Sequence, residues 1–201
     1  MIVLGLTGSV GMGKSTTAKM FAEEGVPVFD ADAEVHRLYD GEAAKLIETA
    51  FPGTTTDGRV VRERLAARVF GDPQALARLE SIMHPLVRAA EKAFLADAAA
   101  KGAIVAVLNI PLLFETGADK LVDAVLVVTA PGDMQRARIF ARPNMTEEKF
   151  KAMLSRQMDD SETRRRADFL IDTSHGLEAA RAEVRTVLRQ LAGKSKPARR
   201  K

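Results

Sequence analysis

The chain has 201 residues, 46% hydrophobic and 28% charged, with no cysteine and a formal net charge of +3. This size and apolar share allow one buried core with an insertion; the missing cysteine excludes disulfides, thiolate nucleophiles and cysteine-ligated zinc. No apolar run approaches the roughly 20 residues of a membrane span, and the amino terminus lacks a secretory pattern, so a cytoplasmic protein with no membrane partner is expected.

The first element is a strand, Ile2-Val3-Leu4-Gly5-Leu6, which runs into Gly8-Ser9-Val10-Gly11-Met12-Gly13-Lys14-Ser15 and then a helix from Ser15 to Glu24. Strand, glycine-rich loop and helix give the G-x-x-x-x-G-K-[ST] pattern its phosphate-binding context. Glycines let backbone N–H groups curl around phosphate oxygens. Lys14 reaches the β- and γ-phosphates, and the Ser15 hydroxyl is the expected protein ligand for Mg²⁺. The expected nucleotide contacts are Gly8, Gly11, Met12, Gly13, Lys14, Ser15 and Thr16.

Val26-Pro27-Val28-Phe29 reads as a second strand, followed by Asp30-Ala31-Asp32. In an extended chain, carboxylates two residues apart point to the same side, here at the carboxyl end of a strand, where open α/β sheets bind ligands. One carboxylate, Asp32, can orient an acceptor hydroxyl and take its proton; the other, Asp30, can hold Mg²⁺ through water. Capping the next helix is the alternative use of an aspartate here.

Residues 33–102 carry helical periodicity and no parallel strand. Asp72-Pro73 starts one helix, and a second is expected from His84-Pro85 to the alanines before Gly102. His84 can contact an acceptor phosphate or ribose, though a histidine in this setting is more often a plain helix-end residue. The block is too long for a crossover and reads as an inserted helical subdomain. Two continuous apolar runs follow, Ala103–Leu108 and Ala124–Val128, with a shorter one at Phe169-Leu170-Ile171. Such runs are strands buried on both faces of a parallel sheet, so the expected fold is α/β with a mostly parallel, five-stranded sheet flanked by helices.

Directly after the first of these runs stands Asn109-Ile110-Pro111-Leu112-Leu113-Phe114-Glu115. Leu112 and Phe114 are candidate pocket wall or plain core, and Glu115 is a candidate polar anchor or a solvated surface residue. Asn109 occupies the strand end where phosphate-loop enzymes often place a carboxylate for the water shell of Mg²⁺, and it is neutral. Gln135, Arg138 and Arg142 recur at helical spacing before Pro143-Asn144, where arginines can close over a triphosphate. Thr146-Glu147-Glu148 restarts a helix, and the last helix spans about Leu177 to Leu191. The tail from Lys194 to Lys201 holds five basic and no acidic residues, leaving 25 basic against 27 acidic elsewhere. It is expected to be disordered and solvated, with no nucleic-acid partner. The absence of Asn-Lys-x-Asp and Ser-Gly-Gly-Gln segments argues against a guanine-reading switch and a transporter ATPase. That leaves a metabolite kinase as the natural reading, with a weakly catalytic nucleotide-binding protein as its rival.

Taken in order, Gly5-Leu6-Thr7-Gly8, Asp30-Ala31-Asp32, His84-Pro85, Ile110-Pro111-Leu112-Leu113-Phe114-Glu115, Gln157-Met158 and Ala167-Asp168-Phe169-Leu170-Ile171-Asp172 resemble the dephospho-coenzyme A kinase family over about residues 2 to 190. The resemblance implies a P-loop kinase fold and ATP-dependent phosphorylation of the ribose 3′-hydroxyl of dephospho-CoA, with Mg²⁺. It also implies three parts: a nucleotide core (1–32, 103–135, 167–192), a helical acceptor-binding region (33–102) and a lid (136–166). Asp32 would then be the base, with Lys14, Arg138 and Arg142 acting on the triphosphate. Asp30, Asp32, His84, Leu112, Phe114 and Glu115 would face the acceptor. One departure stands out: the family usually has an acidic residue where this chain has Asn109, so Mg²⁺ binding and transfer are expected to be weakened. A kinase for another small nucleotide or nucleoside is the alternative that shares the same loop.

Overall fold

The structure, a computed structural model, describes residues 1–193; the basic tail lies outside the described residues. The chain divides into two compact units, one made of Met1–Phe29 and the chain from Ala98 on, the other of Asp30–Asp97.

In the first unit, strand β1 (Ile2–Thr7) leads through the glycine-rich loop into helix α1 (Lys14–Glu23), and β2 (Val28–Asp30) follows. The second unit comes next in the chain, with helices α2 (Ala31–Tyr39), α3 (Glu42–Ala50), α4 (Arg62–Val69) and α5 (Pro73–Ala100) and strands β3 (Thr55–Thr56) and β4 (Arg59–Val60). After it come β5 (Val105–Asn109), β6 (Ala124–Thr129), α6 (Gly132–Phe140), α7 (Glu147–Leu154), α8 (Asp160–Arg166), β7 (Phe169–Asp172) and α9 (Leu177–Ala192). Five strands form one sheet in the order β2-β5-β1-β6-β7, and β1/β5, β1/β6 and β6/β7 pair in parallel. Every residue of β5 and β6 is buried, as continuous apolar runs require of strands covered on both faces.

Alternate residues build one face of that core: Ile2, Leu4 and Leu6, Val105 and Val107, Leu126 and Val128, Phe169 and Ile171. Against them pack Met20 and Phe21 of α1 and Ala180, Val184, Val187 and Leu191 of α9, the latter at spacings of four, three and four that place them on one helical stripe. Two aspartates at strand starts fasten neighbouring strands: Asp123 accepts from Val3 N at 2.8 Å and Asp168 from Val125 N at 2.8 Å.

The second unit has its own core, which gathers Leu38, Ala43, Ala44, Ile47, Phe51, Val60, Leu65, Leu79 and Met83. As expected, it holds no parallel strand among its residues.

Two expectations need correction. The chain does not stay extended through Asp30-Ala31-Asp32: β2 ends at Asp30 and α2 begins at Ala31, with the Asp30 side chain accepting from Ala33 N at 3.0 Å as its N-cap. Nor do two helices meet at His84-Pro85; α5 is a single 28-residue helix with Pro85 inside it. An internal proline costs about 3 kcal/mol or more. Leu79 and Met83 before it are buried, and Leu86 and Val87 after it pack on the same core, so burial continues across the break and offsets that cost. The start is as expected, with Asp72 Oδ1 accepting from Gln74 N and Ala75 N.

Candidate active site

The site grows from the parallel register of β1 and β5. Leu6 lies opposite Asn109, so the two strand ends stop together and the loop after β1 begins beside the segment after β5. Two further bonds fix this, Ile110 N to Leu6 O at 3.0 Å and Thr7 Oγ1 to Pro111 O at 3.1 Å. Gly8 is required by closeness: a Cβ there would stand 2.5 Å from the Val128 carbonyl oxygen of the neighbouring β6. Gly13 caps α1 with φ 95°, a left-handed conformation that favours glycine, and no side chain occupies the first turn of α1 as a cap. The open N–H groups at that helix end therefore face the loop, and with the helix dipole they form an anion cradle.

Lys14 and Asn109 come together here. Lys14 Nζ donates to Asn109 Oδ1 at 2.7 Å, and Asn109 is only 1% exposed. Ser15 and Thr16 sit exposed on the first turn of α1, with their hydroxyls open to ligand. Among the described residues no cluster of three or more acidic, histidine or cysteine side chains could by itself hold a metal. A hydrated Mg²⁺ needs no such cage, because it keeps several waters and binds through substrate phosphates plus one or two protein oxygens. The exposed Ser15 hydroxyl suits one such oxygen, while the Asn109 amide oxygen, already bonded to Lys14, offers a dipole where a carboxylate would offer a charge.

Around the loop stands a ring of side chains. Thr173, just past β7, donates to Met12 O at 2.8 Å and accepts from Arg138 Nη1 at 2.7 Å, while Arg138 Nη2 donates to Thr173 O at 2.8 Å. Asp172 beside it accepts from Ser174, which holds its carboxyl below the ordinary aspartate value. Gln135, buried on the same face of α6, donates to Val10 O at 2.7 Å and to Ser9 Oγ at 3.1 Å. Gln157 Oε1 accepts from Ser9 Oγ at 2.6 Å and from Val10 N at 3.1 Å. The Gln135–Arg138 face of α6 thus props the loop from outside. Arg142 lies exposed just beyond that helix.

Of the residues after β5, Leu113 and Phe114 are buried, Leu112 is half-buried and Glu115 is exposed. The Arg166 guanidinium stacks 4.3 Å over the Phe114 ring and pairs with Asp119 at 3.0 Å, while Glu115 Oε1 accepts from Met158 N at 2.6 Å. An open cleft is lined by Gly8, Ser9, Pro111, Phe114, Glu115 and Gln157, among others. In the other unit, Asp32 and His84 are exposed, on the first turn of α2 and along α5 respectively. Because Ala31 opens a helix, Asp30 and Asp32 do not share one side of a strand; residues two apart in a helix lie roughly 200° apart. Thr173 is the site residue that sequence reading missed, since a lone threonine after a strand carries no pattern. Gln157 had only a motif match behind it.

The family model for dephospho-CoA kinase matches residues 2–179. The chain belongs to the dephospho-CoA kinase family. It is 64% identical over 193 residues to the dephospho-CoA kinase of Mesorhizobium japonicum, covering 96% of this chain and 98% of that one. Among solved structures it is similar to TT1252 from Thermus thermophilus, with TM-score 0.82 and 34% identity over 96% of this chain and 98% of the other. It is also similar to the dephospho-CoA kinase from Campylobacter jejuni, with TM-score 0.67 and 26% identity over 94% and 96% of the two chains. Membership agrees with the parallel sheet and the phosphate loop, and no described helix is long and apolar enough to cross a membrane.

Proposed function

We propose that this dephospho-CoA kinase family member transfers the terminal phosphoryl group of ATP to the ribose 3′-hydroxyl of dephospho-CoA, giving coenzyme A and ADP in the cytoplasm, the last step of coenzyme A synthesis. The observation that carries the reading is the joining of Lys14 to Asn109 at 2.7 Å, at the point where the phosphate loop meets the Pro111–Glu115 segment. Phosphoryl transfer leaves little covalent work to a protein and is accelerated by positioning and charge stabilisation. Lys14 supplies a cation at the β- and γ-phosphates, and the open N–H groups of α1 hold the remaining charge. Ser15, with Asn109 beside Lys14, would hold a Mg²⁺ carried in on the nucleotide, which would supply neutralising charge to the triphosphate. Asp32 accepts the proton of the acceptor hydroxyl, a role that rests on the family resemblance and on a carboxylate exposed at a helix start. Asp30 is spent on its cap, which favours at most a water-mediated share in holding the metal. Arg138 acts through Thr173 on loop shape, leaving Arg142 as the arginine that reaches the triphosphate. Residues 33–102 take the acceptor, and 136–166 act as a lid.

A coupled assay of ADP release with dephospho-CoA, AMP, GMP or pantothenate as acceptor tests this. Turnover with dephospho-CoA alone is expected. Preferential turnover of a nucleoside monophosphate would overturn the acceptor assignment, and ATP binding without turnover of any acceptor would favour a nucleotide-binding role.

A further inference from the structure

The outer limb of the phosphate loop, Ser9-Val10, makes its hydrogen bonds to side chains from far along the sequence. Gln157 Oε1 takes two donors at one point, the Ser9 hydroxyl at 2.6 Å and the Val10 N–H at 3.1 Å. Gln135 completes the clasp from the other side. The next residue, Met158, donates its N–H to Glu115 Oε1 at 2.6 Å, and its sulfur lies 3.7 Å from Arg166 Nη1, whose guanidinium covers Phe114. Two consecutive residues, 157 and 158, therefore join the donor loop to the segment that follows β5. They stand in the short turn between α7 and α8, on no regular element of their own.

We propose that Gln157 is a positioning residue that sets the shape of the phosphate loop before nucleotide arrives and, through Met158 and Glu115, makes that shape depend on the seating of the Pro111–Glu115 segment. The physical argument concerns preorganisation. A glycine-rich loop loses conformational freedom when it wraps a triphosphate. An amide oxygen fixed over Ser9 and Val10 removes part of that freedom in advance. With Val10 N satisfied by Gln157, the outer limb does not turn that donor inward, and the remaining loop N–H groups are left for phosphate. A neutral amide suits the task, since it accepts both bonds without placing a negative charge beside an anion site. Gln157 acts here through the loop and not on the reacting atoms. The proposal rests on the loop being the ATP site.

The test uses the full-length protein and a fluorescent ATP analogue, titrated without acceptor, alongside thermal unfolding and steady-state kinetics. Gln157→Met keeps the length of the side chain and removes the acceptor. Two bonds of ordinary net worth predict a dissociation constant raised roughly 5- to 30-fold, with KM for ATP rising in step, kcat less affected and the melting temperature lowered by only a few degrees. Glu115→Leu, at an exposed position, should weaken the analogue in the same direction. Glu115→Gln, which keeps an acceptor for Met158 N, should restore it, and adding Glu115→Leu to Gln157→Met should have no further effect. Analogue affinity unchanged in Gln157→Met, or effects of the two substitutions that simply multiply, would overturn the proposal. If Gln157→Met fails to fold, unchanged affinity in Glu115→Leu does the same. Failure of the unaltered protein to bind the analogue would instead sink the assignment of the loop.

Discussion

Asn109→Asp is the most informative single change, because it alters one charge and almost no volume at a side chain only 1% exposed. The new carboxylate would stand where Asn109 Oδ1 now lies, 2.7 Å from Lys14 Nζ. At an effective dielectric of 20, attraction between unit charges at that separation is about 6 kcal/mol. Removing a carboxylate from water costs several kcal/mol, so the net effect on folding is expected to be small. The effect on transfer is not cancelled in this way. A preorganised group facing charge that develops in the reaction is typically worth about 10²–10³ in kcat. The asparagine keeps the bond to Lys14 and so retains part of that benefit. A gain in kcat of roughly 10- to 100-fold is therefore expected, at the lower edge of such effects. Mg²⁺ titration at fixed ATP should show half-saturation at lower metal concentration, since an anionic oxygen replaces an amide dipole at the Lys14 contact. Coupled ADP release measures both, and a melting curve shows whether the fold is unchanged. A variant that folds normally, with kcat and Mg²⁺ half-saturation both unchanged, would refute the assignment of Asn109 as a weakened magnesium and phosphate contact.

Lys14→Ala removes the cation of the loop and should lower kcat by at least about 10²; near-normal single-turnover rates at saturating ATP would contradict its role. Asp32→Asn should lower kcat by roughly 10²–10⁴, the usual worth of a general base, while leaving ATP affinity nearly intact; normal turnover would remove the assignment. Gly8→Ala forces a Cβ to 2.5 Å from the Val128 carbonyl oxygen, and should destabilise the protein by about 1–3 kcal/mol with weakened ATP binding; an unchanged urea midpoint would show that the strand–loop junction yields. Glu48, accepting from Gly53 N and from both N and Oγ1 of Thr55, is held below its ordinary value of 4.5. A lowered carboxyl pKa stabilises above the unfolded value and loses that stability as pH falls through the folded one. Melting temperature should therefore fall more steeply below pH 4.5 in the natural protein than in Glu48→Gln, and parallel curves for the two would refute the linkage.

The site was legible in the sequence where chemistry is written into contiguous residues. The spacing of Gly8, Gly11, Gly13, Lys14 and Ser15 required a phosphate cradle, because backbone curvature and helix polarity follow from the local chain alone. The apolar runs Ala103–Leu108 and Ala124–Val128 pointed to a buried parallel sheet, because burial on both faces leaves no alternation to read, although the first is buried only from Val105 on. Where the reading failed, a distant core outweighed a local signal. Pro85 lies inside α5 because Leu79, Met83, Leu86 and Val87 bury a common face. Asp30 takes the capping role that the local sequence also allowed, because the chain turns helical directly after the strand. The partners of the loop were invisible for a further reason: Gln135, Gln157 and Thr173 stand more than 120 residues from Ser9 and Met12, and hydrogen bonds across such separations leave no periodic trace. The sequence alone determined that a triphosphate is held and on what kind of sheet, since short-range geometry suffices for both. Only the tertiary structure decided what holds the loop in shape and that Lys14 faces a neutral amide at 2.7 Å, because β-strand register and helix packing are properties of the whole fold.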